Sequence, residues 1–307
     1  MGSAFSTSAA PAAGEPDPDE GIEKLARMLA GGRSMTVFTG AGCSAEPPSS
    51  IPDFRSPGGL WSRYDPAVYC EYNTFVGQPH LFWKMATELT RDIHTINGGT
   101  QEELLETGTV RHARPNAAHV AIADLERLGC VTACITQNID GLHGKAGSSS
   151  VIELHGRQSS ATCMACGAGC ETEAEVIPQW VAWQQAQGAG GSFVPTCPQP
   201  GCEGVLKPDV TLFGEALPTG AYARAVGKVL AAPICLVVGT SLNVFPASTV
   251  PGFVTKRFGT LAVNNLDGSG SGDAHIVLRG PAGDTMTRLA RRVRELKSLP
   301  AATAGRL

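Results

Sequence analysis

The sequence predicts an α/β protein, a parallel sheet with helices on both faces, interrupted by a small cysteine-bearing module. Three observations carry this. Short apolar runs alternate with amphipathic stretches along the 307 residues, and strands separated by helices pair in parallel. Those runs end in small or polar residues, where an open α/β sheet keeps its ligand site. Two cysteine pairs, Cys163/Cys166 and Cys197/Cys202, stand thirty residues apart, a spacing that suits one tetrahedral Zn²⁺.

The elements follow in order. Residues 21–32 read as a helix, because Ile22, Leu25, Met28 and Leu29 share a face. Residues 35–39 form a strand that runs into Gly40-Ala41-Gly42-Cys43-Ser44. Helices are expected at 78–94, through Phe82, Met85 and Leu89, and at 116–128, through Ala118, Ile122, Leu125 and Leu128. Residues 131–135 and 151–154 are buried strands, the first followed by Gln137-Asn138-Ile139-Asp140 and the second by His155. Residues 157–206 are rich in Gly, Cys and Pro, with one helix near 174–187. A helix at 220–231 leads to a strand at 234–238 that ends in Gly239-Thr240-Ser241. A strand at 260–263 ends in Asn264-Asn265, and a strand at 274–278 precedes a last helix at 284–297. Residues 1–20 are expected to be disordered, and 299–307 to be a tail.

Composition narrows the function. A hydrophobic fraction of 42% supports a sizeable core, and a net charge of −4 without a basic block argues against non-specific nucleic-acid binding. Ten cysteines in a long chain without a secretory h-region read as metal ligands and free thiols. Cys70, Cys130, Cys134 and Cys235 are expected inside as small apolar residues. No stretch approaches a membrane span. Residues 1–20 hold no Lys or Arg, unlike a mitochondrial presequence. Met1-Gly2-Ser3-Ala4-Phe5-Ser6 fits the pattern for myristoylation at Gly2, read here as a chance match. The expected compartment is cytoplasmic or nuclear.

The motifs carry the chemistry. Four thiolates fill a tetrahedral ion's coordination, so the zinc holds structure and activates no water. Gly40-Ala41-Gly42 after a strand can cradle a pyrophosphate with backbone N–H groups. It lacks the third glycine of the dehydrogenase fingerprint, and Asn264 stands where an acidic residue would end its strand. Arg55 can pair with phosphate and Phe54 can cap a ring. His155, beside Asn138 and Asp140, is a candidate general base.

Together, GAGCSAEPPSSIPDFRSPGGLW (40–61), TQNIDGLHGKAG (136–147), VIELHG (151–156), the cysteine pairs, LKPDVTLFGEALP (206–218), VGTSLNVFPA (238–247) and VNN (263–265) resemble the sirtuins. These are NAD-dependent protein-lysine deacylases. The resemblance covers about residues 21–298. It implies a Rossmann-like large domain (about 21–55, 115–156 and 207–298), a small helical part (about 56–114) and a zinc ribbon (about 157–206).

It also implies residue roles. Gly40, Ala41, Gly42 and Ser44 would hold the pyrophosphate of NAD, Phe54 would shield the anomeric carbon and Arg55 would anchor phosphate. Gln137 and Asn138 would hold the nicotinamide ribose and Asp140 the carboxamide. Thr240, Ser241, Asn264 and Ala282 would line the adenosine half. Trp61, Ile139, Gly239 and Asn265 complete the cofactor set. Val210, Phe213 and Gly214 would pair with an acyl-lysine peptide by strand addition. His155 would deprotonate the ribose diol, with Asn138 and Asp140 as its catalytic neighbours. The products would be free lysine, nicotinamide and O-acyl-ADP-ribose. Two rival readings use the same motifs: mono-ADP-ribosyl transfer, and a non-catalytic NAD-sensing or chromatin-scaffold protein.

Two departures from the family pattern stand out. Pro47-Pro48-Ser49-Ser50 replaces the usual Ser-Gly and is two residues longer, over the cofactor. The second cysteine pair is wider than C-x-x-C, which leaves Cys170 as a competing ligand. Family members that remove succinyl or malonyl groups carry a Tyr and an Arg three residues apart, and the stretch from Phe82 to Glu88 has no such pair. The expected acyl group is therefore acetyl or a longer apolar chain.

Overall fold

Continuous apolar runs make the central strands. β1 (Met35–Thr39) is buried at every position, and so is a later strand, Ile234–Val238. Only a sheet covered on both faces allows that. The computed structural model describes residues 18–53, 59–187 and 192–298. Its other strands are β2 (Val131–Thr136), β3 (Val151–Glu153), β4 (Gly156–Cys163), β5 (Gly169–Glu171), β6 (Leu206–Val210), β7 (Ile234–Val238), β8 (Thr260–Asn265) and β9 (Ile276–Arg279).

The main sheet has the order β3-β2-β1-β7-β8-β9 and is parallel throughout. Strand order reverses between β1 and β7, which opens a crevice at their carboxyl ends. Helices Pro18–Ala30, Ala117–Arg127 and Ala282–Ser298 cover one face, with Leu25, Ile122, Met286 and Leu289 in its core. Helix Ala221–Ala231 and the turn Pro251–Arg257 cover the other, where Ala225, Val229 and Val254 join the cluster of Phe38 and Val237.

The first helix starts earlier than the sequence suggests, so residues 18–20 are helical and not disordered. Pro18 opens it, and Asp19 and Glu20 lie in its first turn, where proline and negative charge are both favoured. Residues 1–17, including Gly2, and the tail 299–307 lie outside the described residues. No described helix is long and apolar enough to cross a membrane.

A second, antiparallel sheet has the order β5-β4-β6. The sequence hides it, because β4 reads GRQSSATC and shows no apolar alternation. Its polar face is satisfied across the ladder, where Ser160 and Thr162 both donate to Asp209. Helices Pro79–Ile96 and Ile177–Gln187 pack on this sheet through Phe82, Trp83, Trp180, Phe193 and Leu206. The Trp83 indole N–H donates to the Leu206 carbonyl at 3.1 Å. The helical part and the cysteine ribbon therefore share one core. The helix expected at 174–187 begins as a π-turn, Thr172–Val176, before turning α. Short helices at Pro66–Tyr69, Tyr72–Gly77 and Gln101–Thr107 escaped the periodicity reading, being too brief to show it.

One residue hinges the two sheets. Gly156 has φ +73°, and a Cβ there would lie 1.9 Å from the Asp209 carbonyl oxygen. Only glycine fits so close an approach. It lets the chain cross from β3 into β4 immediately after His155.

Candidate active site at the switch point

The turns after β1 and β7 interlock. Gly42 N–H donates to the Gly239 carbonyl at 2.9 Å, and Gly40 N–H to Val238 at 3.1 Å. Gly239 has φ +65°, and a Cβ on it would lie 2.3 Å from the Cys43 nitrogen. These glycines serve backbone packing at the reversal point as well as any ligand. Thr240, next in line, accepts the Gln137 amide at 3.0 Å on its hydroxyl and the Asn265 amide at 2.8 Å on its carbonyl. The ends of β2, β7 and β8 are thereby tied together. Ser241 is half-buried beside them.

Beneath this rim lies a polar network. Ser44 Oγ donates to Asp140 Oδ2 at 2.7 Å and accepts from Asn138 Nδ2 at 3.0 Å. Asn138 Nδ2 also reaches the Gly40 carbonyl at 3.1 Å. Leu142 N–H donates to Asp140 Oδ1 at 2.9 Å. The Ser44 proton is spent on a carboxylate, so the His119 Nε2, 3.2 Å away, must carry its own proton. Thr39 Oγ1 likewise donates to Thr136 at 2.8 Å and faces His143 Nε2 at 2.9 Å. His143 therefore donates through Nε2, which leaves its Nδ1 bare. That atom is buried without any partner among the described residues.

Burial sets the charge of these rings. His119 is pushed down to about 4, burial outweighing the charge of Asp140. His143 is pushed down to about 3 by burial and by His119. Both are neutral at neutral pH.

His155 Nδ1 lies 3.0 Å from the Gln137 carbonyl. A carbonyl only accepts, so Nδ1 carries the proton and Nε2 presents a lone pair. Burial holds this imidazole below its usual value, with the Gln137 carbonyl opposing. His155 also binds the neighbouring segment, its carbonyl accepting Thr211 N–H at 2.9 Å.

The remaining expected cofactor residues fall into four groups. Asn264 is fully buried, and its amide N–H groups go to the Leu278 and Gly280 carbonyls and to Thr285 Oγ1. Its Oδ1 is buried without a partner among the described residues. Ala282 opens the last helix, and Glu46 caps that helix by accepting Gly283 N–H at 3.1 Å. Trp61 and Ile139 pack against the small module's core. Phe54 and Arg55 lie outside the described residues.

Of the substrate positions, Val210 ends β6 opposite Gly156. The Phe213 amide and carbonyl are taken by Cys70 and Tyr72, at 2.8 and 2.9 Å. Strand addition cannot use Phe213's own backbone in this state. Gly214, at φ +87°, has no backbone partner among the described residues.

The four cysteines expected to hold zinc assemble as a set. Cys163, Cys166, Cys197 and Cys202 lie within 4.8 Å of one another. Two Sγ–Sγ distances are 3.7 Å, close to the about 3.8 Å edge of a tetrahedron with Zn–S bonds of about 2.3 Å. Cys170 sits on β5, outside the cluster. The donor set fits a closed, structural zinc site. Among the expected core thiols, Cys130, Cys134 and Cys235 are buried, and Cys70 is partly exposed.

A Rossmann-like sheet with an inserted ribbon, and a polar network at its switch point, define a nucleotide-dependent α/β protein. The Sir2 family model matches residues 40–246. An NAD-dependent protein deacetylase of Caldivirga maquilingensis is 38% identical over 284 residues, covering 92% of this chain and 96% of the relative. An NAD-dependent protein deacylase of Thermococcus kodakarensis is 37% identical, over 88% and 95% of the two chains. A solved Sir2 homologue–NAD complex superposes with TM-score 0.73 at 36% identity, covering 90% of this chain and 95% of that one. Sir2Af2 bound to a myristoylated histone peptide does so with TM-score 0.67 at 28% identity, covering 91% and 99%. The chain belongs to the Sir2 family.

Sequence reading missed Thr39, Asn116, His119 and His143. His143 stands three residues beyond Asp140 in a segment already singled out. His119 completes a capping box with Asn116, an N-x-x-H signal that reads as helix punctuation before it reads as a site.

Proposed function

We propose that this protein removes acyl groups from protein lysines in a reaction that consumes NAD. Relatives named for that activity support the reading. The observation that carries it to this chain is the His155–Gln137 hydrogen bond. It orients a neutral imidazole with Nε2 free to accept a proton at the strand ends.

The donors and acceptors suit NAD. Asn264 Oδ1 is a buried orphan acceptor, fit for an amino or hydroxyl donor of the adenosine half. Gly239, Thr240, Ser241, Asn265 and Ala282 complete that end. Gly40, Ala41, Gly42 and Ser44, with Arg55, hold the diphosphate. Asp140, kept as an acceptor by Ser44 O–H and Leu142 N–H, takes an amide donor. Gln137 and Asn138 hold the adjoining ribose, and Trp61 and Ile139 close the pocket. Bound NAD supplies the reactive bond, whose cleavage releases nicotinamide and leaves ADP-ribose to receive the acyl group. His155 takes the hydroxyl proton in that transfer. Val210 and Gly214 align the peptide, with Phe213 contributing its exposed side chain and not its backbone. The catalytic unit is residues 21–298, with the large domain, helical part and ribbon bounded as above.

The acyl group is acetyl or a longer apolar chain. Arg63 is a cation within reach of the small module, but it is paired with Asp92 at 2.7 Å and lies over the Tyr64 ring. The test is NAD consumption with acetyl-, myristoyl- and succinyl-lysine peptides, read by mass spectrometry. Nicotinamide and O-acyl-ADP-ribose should appear together. No turnover with any acyl peptide refutes the reading, and ADP-ribose left on a protein side chain with the acyl-lysine intact establishes transferase chemistry instead.

A further inference from the structure

Cys43, His119 and His143 form a second cluster of metal-ligating side chains, distinct from the ribbon. One ligand atom from each lies within 4.8 Å of the others. The three residues are 0%, 0% and 2% exposed. They come from three elements: the turn after β1, helix Ala117–Arg127, and the short helix Leu142–Lys145. The His rings are 4.8 Å apart between centroids and tilted by 57°.

We propose that this cluster is a second site for a soft divalent ion such as Zn²⁺ or Cd²⁺, with Cys43 Sγ and one nitrogen from each imidazole as ligands. Three features support it. Thiolate plus two neutral imidazoles is a donor set that such ions favour. His143 Nδ1 is a bare lone pair, buried and without a partner among the described residues, so it can ligate with none of their hydrogen bonds broken. Its Nε2–H stays on the Thr39 hydroxyl, an outer-shell acceptor that fixes the ring's orientation. Binding exchanges the thiol proton for the ion, with no change of oxidation state.

The site needs contraction before it can close. Ligand atoms of a tetrahedral ion lie about 3.3–3.8 Å apart, so separations up to 4.8 Å must shrink. The rings of His119 and His143 have to move together, and His119 Nε2 holds Ser44, which holds Asp140. Occupancy therefore disturbs the polar network beneath the strand ends and should inhibit turnover. That consequence rests on the deacylase reading; the metal stoichiometry does not.

The experiment titrates Zn²⁺, then Cd²⁺, into full-length protein with its ribbon already loaded. Calorimetry counts the ions, and ultraviolet absorption reports thiolate-to-Cd²⁺ charge transfer. The wild type should take up one ion beyond the ribbon's, with a thiolate band. Cys43→Val and Cys43→Ala should lose both while keeping the ribbon ion. Cys134→Ala, which removes a different buried thiol, should retain both. Half-inhibition by Zn²⁺ should need at least about tenfold more ion in the Cys43 variants, the lower range for a weakened metal site. A wild type that takes only the ribbon's ion overturns the proposal. So does a folded Cys43 variant that binds the second ion as the wild type does.

Discussion

Mild acid should destabilise this protein through two histidines. His119 and His143 are buried, and burial keeps them neutral down to about 4 and about 3, against 6.5 for a free ring. Below pH 6.5 the unfolded chain binds protons that the native state refuses. Their contribution is therefore fully present above that pH and is lost as pH falls toward the folded values. Between about pH 6.5 and about pH 5 each ring costs about 1.6 kcal/mol, or about 3 kcal/mol for the pair. That is a large share of a typical stability of about 5–15 kcal/mol. His155, also held low by burial, adds in the same sense. Carboxylates such as Glu23 and Glu103, held below 4.5 by Arg292 and Arg111, lose their contribution only under that pH, so this window belongs to histidine. Urea unfolding across it should show stability falling with an uptake of at least about two protons per chain. His143→Gln should remove about one of them. A stability that stays flat over the window, or a variant slope equal to the wild type's, would refute the reasoning.

Other expectations concern the site and the ribbon. His155→Ala should lower deacylation by at least about 10²-fold with the fold intact; near-normal turnover would show that another group is the base. Cys202→Ala should release the ribbon zinc and loosen the small module, whereas Cys170→Ala should keep the ion, as measured by metal analysis. The reverse pattern would mean the ligand set is wrong. Succinyl-lysine should be at least about tenfold poorer than acetyl- or myristoyl-lysine in kcat/KM, because its carboxylate would be buried while Arg63 is already paired with Asp92. A preference for the succinyl peptide that disappears in Arg63→Ala would show that Arg63 leaves Asp92 to meet the substrate.

Much of this site is written locally. Strand Ile234–Val238 is legible because a strand buried on both faces needs an unbroken apolar run. Polar residues at the ends of such runs mark the ligand crevice, and so Ser44, Asn138, Asp140, His155 and Thr240 stand out in the bare sequence. The cysteine pairs announce a zinc site through spacing alone. Sequence favoured Cys202 over Cys170 by its place at the module's exit, and the fold gathers Cys202 with the other three.

Tertiary structure decided the rest, because it depends on contacts that no short window contains. β4 is mostly polar, and Ser160 and Thr162 find their acceptor in Asp209, on another strand. Thr39 and His143 are bonded across 104 residues, and Ser44 and His119 across 75. His119 reads locally as part of a helix cap, and its burial and neutrality arise from the packing of helix Ala117–Arg127 against the turn that follows β1. The residue types and their order are properties of the sequence. Which of them share a buried volume, and so which carry protons or ions, follows from the reversal of strand order between β1 and β7.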